Sequence, residues 1–183
     1  MHPPSPSPSL VVVHEGLPPT LAVVLAKHDV HIVRAETIDE AGRVRDCAMT
    51  LVVAQIHLTS DDPRCRGGAD VIGSILTGLV EGPSRPRSTL VLVTYDGQGH
   101  VEKRLRQKTE SLLRQAVLRA ATSFGADLVV NALMVPVPSD DVIVAERLVA
   151  MADARPPITT GEVLHLSDVV DQSIGEALLE RSL

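Results

Sequence analysis

The feature that most constrains this chain is a set of apolar runs that never alternate with polar residues. Leu10 to Val13, Ala48 to Ile56, Thr89 to Thr94 and Asp127 to Leu133 are four such runs, rich in Val, Leu and Ile. A strand with one face in water alternates in polarity, so uninterrupted runs of this length predict strands covered on both faces. Helical segments separate them, and parallel strands cannot be joined by tight turns. The expected fold is therefore α/β, a three-layer, doubly wound parallel sheet of about six strands with helices on both faces.

Punctuation along the chain fills in the other elements. Pro18 and Pro19 open a helix continuing through Thr20 to Lys27, because first-turn amides lack intrahelical partners and proline loses nothing there. His31 to Arg34 begin the next extended segment, and Asp70 to Val80 read as a helix weakened by two glycines. Glu102 to Phe124 is the longest helix candidate, closed by Gly125. Asp140 to Ala152 form a further helix and Gly161 to Leu166 a last strand. Residues 1–9, MHPPSPSPS, can neither pair in a sheet nor continue a helix, and are expected to be a disordered arm before a single domain over 10–183.

Composition removes several function classes. Of 183 residues only Tyr95 and Phe124 are aromatic, too few for a base-stacking platform, and the net charge of −6 opposes general affinity for phosphate backbones. No apolar run reaches the ~18 residues needed to span a bilayer, so a cytoplasmic protein without membrane or nucleic-acid partners is expected. Cys47 and Cys65 are too far apart for a redox pair and are read as reduced thiols. The histidines are scattered; His28 and His31 around Asp29 are read as a solvated turn, and no metal site is expected. A triad of Ser123, His165 and Asp168 could be drawn only by arbitrary choice, and the paired Asp140 and Asp141 are read as helix-start carboxylates.

From Lys108 the chain runs KTESLLRQAVLRAATSFGADLVVNALMVPVP, and later TTGEVLHL. This pattern resembles the short-chain dehydrogenase/reductase (SDR) family, above all 3-oxoacyl-(acyl carrier protein) reductases and polyketide ketoreductases. Val130, Asn131 and Ala132 match one signature, with one extra residue before Pro136, and Thr160 to Leu164 match the second. The likeness spans residues 88 to 168, and residues 10 to 60 only as a strand–helix–strand outline. It implies a shortened, Rossmann-like fold of SDR type.

The chemistry that the resemblance implies does not carry over. The family uses a Tyr-x-x-x-Lys pair; Lys108 fits the lysine, but Arg104 stands four residues before it, and a guanidinium does not give up its proton near neutral pH. The family's serine falls near Tyr95, read as a strand-end residue with a solvated hydroxyl, or else as a displaced acid. The nucleotide loop should be glycine-rich, yet His14, Glu15, Gly16, Pro18 and Pro19 supply one glycine, one negative charge and two positions without an amide donor. Against the family pattern, about a strand and a helix are missing between Arg34 and Ala48. No cofactor is expected, and Tyr95 and Lys108 are remnants.

Within the long helix six basic residues, including Arg106 and Arg114, face two acidic ones, a local balance of +4 in an acidic chain. Leu113, Val117 and Ala121 recur every four residues on a flank expected to stay apolar after the sheet is covered. These five residues are the expected interface of a non-catalytic subunit that assembles with an active SDR partner, as homo- or hetero-oligomer, or that meets an acyl carrier protein. The alternative is an oxidoreductase using NAD or NADP on acyl-carrier or polyketide ketones.

Overall fold

A computed structural model describes residues 9–13, 19–28, 31–35, 50–58, 77, 88–96, 103, 107–115, 118, 122, 129–137, 139–153 and 159–181. Strands β1 (Ser9–Val13), β2 (His31–Ala35), β3 (Thr50–Leu58), β4 (Ser88–Asp96), β5 (Val129–Val137) and β6 (Val163–His165) form one sheet in the order β2-β1-β3-β4-β5-β6. Every neighbouring pair is parallel. Helices α1 (Pro19–Ala26), α2 (107–115), α3 (Asp141–Asp153) and α4 (Ile174–Arg181) flank it, giving a coarse Rossmann-like α/β/α layering.

Alternation along the strands divides the core. Leu90, Leu92, Leu133, Val135 and Leu164 point to the side of Leu21 and Leu25 of α1, Val144, Ala145 and Leu148 of α3, and Ile174 and Leu178 of α4. Val91, Val93, Tyr95, Val130, Ala132, Met134 and Val163, also buried, face the other way, the side of the buried Thr109 and Leu113 of α2. These sets explain the uninterrupted apolar runs of β4 and β5, since both faces are covered.

The strand bounds differ from expectation by up to four residues. Ser9 belongs to β1 and not to an N-terminal arm, and β3 begins and ends two residues later than the apolar run. β5 continues through Pro136 to Val137. The N–H of Ala132 bonds the Glu162 carbonyl at 2.9 Å, so even-numbered residues of β5 turn their donors toward β6. β6 ends at His165, opposite Met134, so the donor that Pro136 lacks would have had no ladder partner.

After β6 the chain makes a 3-10 turn, Leu166–Val169, and then α4, which the sequence reading omitted. Arg147 of α3 donates from Nε to the Val169 carbonyl (2.5 Å) and from Nη2 to that of Val170. Arg181 of α4 donates to the Val163 carbonyl (2.7 Å) and pairs with Asp168 (2.8 Å). Ser173 and Glu176 cap α4 reciprocally: the Glu176 amide donates to Ser173 Oγ (3.2 Å), and the Ser173 amide to Glu176 Oε2 (2.9 Å). The Ser173 amide foremost, and the Ser173 hydroxyl donating to the same Oε2 (2.8 Å), hold the Glu176 carboxyl below its ordinary pKa, with the positive charge of Arg147 adding to the effect. No helix among the described residues is long and apolar enough to cross a membrane.

Candidate functional site

The site begins with the hand of a crossover. α1 links β1 to β2 toward one edge of the sheet, whereas α3 links β5 to β6 toward the other. Both nevertheless pack on the same face and against each other. Two crossovers running in opposite directions over one face must have opposite hands, and α2, crossing in α3's direction, lies on the other face. The β5–α3–β6 connection is therefore the one that departs from the right-handed rule. Its consequence is local: the N-termini of α1 and α3 meet at the C-terminal edge of the sheet.

There they enclose a cleft of about 270 Å³. Leu21, Leu92, Val135 and Val144 form apolar walls, and Val137, Thr94, Ser139 and Asp141 complete the lining. Thr94 is only 5% exposed. The Thr20 hydroxyl donates to Asp141 Oδ2, joining the two helices, and Ser139 Oγ lies 3.4 Å from Asp141 Oδ1. Asp140 is the cap of α3, its Oδ1 accepting the amides of Val142 (3.0 Å) and Ile143 (3.4 Å), as its place before an apolar helical run predicts. Two carboxylates thus stand at this helix start, one of them in the cleft lining and the other taking two of the first-turn amides of α3. Open parallel sheets place ligands at this edge.

The resemblance residues lie elsewhere. Asn131 donates from Nδ2 to the Thr159 carbonyl (3.0 Å) and accepts the Glu162 amide at Oδ1 (3.1 Å). The Val130 amide donates to Thr160 Oγ1 (3.0 Å), and the Gly161 amide to the Val130 carbonyl (2.8 Å). Gly161 has φ +85°, a left-handed conformation that a side chain resists. The two signatures thus interlock, one fastening the last strand to the other, at the N-terminal end of β5 and away from the cleft.

Two expectations are corrected. Tyr95 is 3% exposed, its side chain on the face opposite Thr94 and the cleft, and so is not a solvated strand-end tyrosine. Leu113 is 0% exposed because it belongs to the stripe of α2 that covers the sheet, so it does not lie on an exposed flank. Arg114 is exposed, Lys108 is half-buried, and Leu118, which the sequence reading passed over, is 65% exposed. Pro19 is the first residue of α1. His14, Glu15, Gly16, Pro18, Arg104, Arg106, Val117 and Ala121 lie outside the described residues, as do Cys47, Cys65, Asp29 and Ser123.

His165 and Asp168 do come together, but as a cap of the 3-10 turn, the His165 amide donating to Asp168 Oδ2 at 2.8 Å. Among the described residues no group of three His, Cys, Asp or Glu is placed to hold a metal. The cleft itself was missed: Thr94, Ser139 and Asp141 carry no spacing signature, and only the opposite-handed crossover assembles them. In comparisons with protein-family models, curated proteins and solved structures, nothing matches the chain.

Proposed function

We propose that this chain is a non-catalytic, SDR-like subunit that assembles with, and supports, an active ketoreductase-type partner. One observation carries the reading. The chain's only tyrosine, the residue type the resemblance requires as proton donor, is buried on the side of β4 that faces away from the cleft. The described cleft lining offers hydroxyls and one carboxylate in its place, a set without a tyrosine phenol or an imidazole to protonate a forming alkoxide. The signature residues Asn131, Thr160 and Gly161 are engaged in joining β5 to the segment before β6, which accounts for their presence without catalysis.

Arg114 and Leu118, both exposed on the helical segment that carries them, are the described residues that fit a subunit contact. The partner is a second SDR-like chain, and the contact buries at least the ~1,000 Å² of a specific interface. Sedimentation of the purified chain, alone and mixed with an active reductase of the same fold, tests the proposal. A complex that L118E dissociates without lowering the melting temperature is the expected result. Saturable binding of NADH or NADPH to the isolated chain, or reduction of a 3-oxoacyl thioester that is lost on changing Lys108, would establish the oxidoreductase alternative instead.

A further inference from the structure

The cleft at the C-terminal edge has a chemistry of its own. Among the described residues Asp141 is the only charged side chain in its lining, and that described lining is otherwise apolar apart from Thr94 and Ser139. We propose that it binds a small organic ammonium ion, a primary amine on an apolar body about the size of a six-membered ring. This does not rest on the chain's being non-catalytic, since an enzyme could hold such a ligand equally well.

Size sets the body. A dry cavity of ~150 Å³ accommodates benzene. About 270 Å³ therefore admits a ring with a short substituent, and is small beside the ~300–1,000 Å³ of larger ligand sites. Leu21, Leu92 and Val135 are almost wholly buried, so a ring laid against them leaves water for an apolar surface.

Charge and hydrogen-bond counting set the head. A carboxylate accepts about four hydrogen bonds and donates none. Asp141 receives one from Thr20 and lies within reach of a second from Ser139, so acceptor positions remain for a ligand's N–H groups. An ammonium has three donors, and the cleft supplies oxygens on Asp141 and Ser139. An anion would face the Asp141 carboxylate, and two of the α3 amides that could have attracted it are taken by Asp140. A half-buried carboxylate beside an apolar wall also attracts a cation more strongly than one in bulk water.

Calorimetric titration of the full chain near neutral pH with benzylammonium, benzyl alcohol and benzoate tests this with probes of matched body. The expected result is saturable benzylammonium binding, tighter than benzyl alcohol by roughly tenfold, the scale of one hydrogen bond between charged groups, with none for benzoate. D141N keeps an acceptor for Thr20 and should weaken benzylammonium binding roughly tenfold at an unchanged melting temperature. V137F, at the exposed rim, should block it by filling the space. Equal affinity for benzoate or benzyl alcohol, an unaltered affinity in D141N, or no binding of benzylammonium by the folded chain would overturn the proposal.

Discussion

The two ends of β5 treat their polar groups in opposite ways. At the N-terminal end the amides of Val130 and Ala132 and both ends of the Asn131 side chain are satisfied by the segment from Thr159 to Glu162. At the C-terminal end β6 has stopped, Pro136 offers no donor, and Val135 and Val137 line a cleft. The residues most visible by resemblance thus sit at the closed end, where their work is to fasten a strand. At the open end the lining is of kinds found at any helix start. Likeness at positions of the first sort informs on architecture; chemistry has to be read at the second.

The largest expected effect tests the cover over the closed end. Leu113 is fully buried, and the adjacent Arg114 is, among the described residues, the nearest side chain to where a Cβ on Gly161 would lie, at 4.0 Å. Leu113→Glu places an unpaired carboxylate in the core and should cost about 3–5 kcal/mol or abolish folding. Leu118→Glu, at an exposed position, should stay within about 0.5 kcal/mol. Urea denaturation of both separates a core role from an interface role, and similar losses in the two would undo the assignment of Leu113 to the core.

Next in size is the staple itself. Asn131→Leu leaves the Glu162 amide and the Thr159 carbonyl without their partner and should cost about 2–4 kcal/mol, whereas Val137→Ala on the same strand should cost under about 1 kcal/mol. Gly161→Ala follows at about 1–2 kcal/mol, a conformational cost, because among the described residues the added methyl meets nothing closer than 4.0 Å. Gly161→Asn should recover part of that loss, since asparagine tolerates positive φ better than alanine. If Asn131→Leu and Val137→Ala prove equally mild in chemical denaturation, the contrast between the ends of β5 is lost.

Much of the layering was legible because burial on both faces writes itself into the sequence. Thr89 to Thr94 and Leu10 to Val13 are apolar without alternation, and the strands were found within two residues of where those runs begin. The apolar run from Asp127 to Leu133 stops short of the end of β5, which continues through Pro136 because a proline ends a strand only where a neighbouring strand needs its donor. Asp140 was recognisable as a helix-start carboxylate. The Ser173-x-x-Glu176 box before α4 was equally readable and overlooked. Leu113 was misplaced because Leu113, Val117 and Ala121 repeat at helical spacing, and such a repeat fixes a face without saying which face meets the sheet. The cleft had no local signal at all, since the hand of a crossover is a property of the assembled sheet.

The smallest expected effect distinguishes the two ends by titration. α4 runs back along β6: its last turn reaches the Val163 carbonyl through Arg181, so its capped N-terminus lies toward the C-terminal edge. The carboxyl of Glu176 is depressed in pKa by accepting the Ser173 amide and hydroxyl, with a further contribution from Arg147. A carboxylate with a lowered folded-state pKa adds stability that is fully present above its unfolded pKa and disappears as pH falls through the folded value. Acidification below the ordinary carboxylate range should therefore loosen the start of α4, exposing the Ser173 amide to exchange. The Glu162 amide donates to the uncharged Asn131 side chain and should keep its protection over the same range. Amide exchange followed by NMR at decreasing pH reads both in one sample. Glu176→Gln should abolish the pH response at Ser173, since no carboxyl remains to titrate, and a parallel loss of protection at Glu162 would mean that the two ends open as one unit.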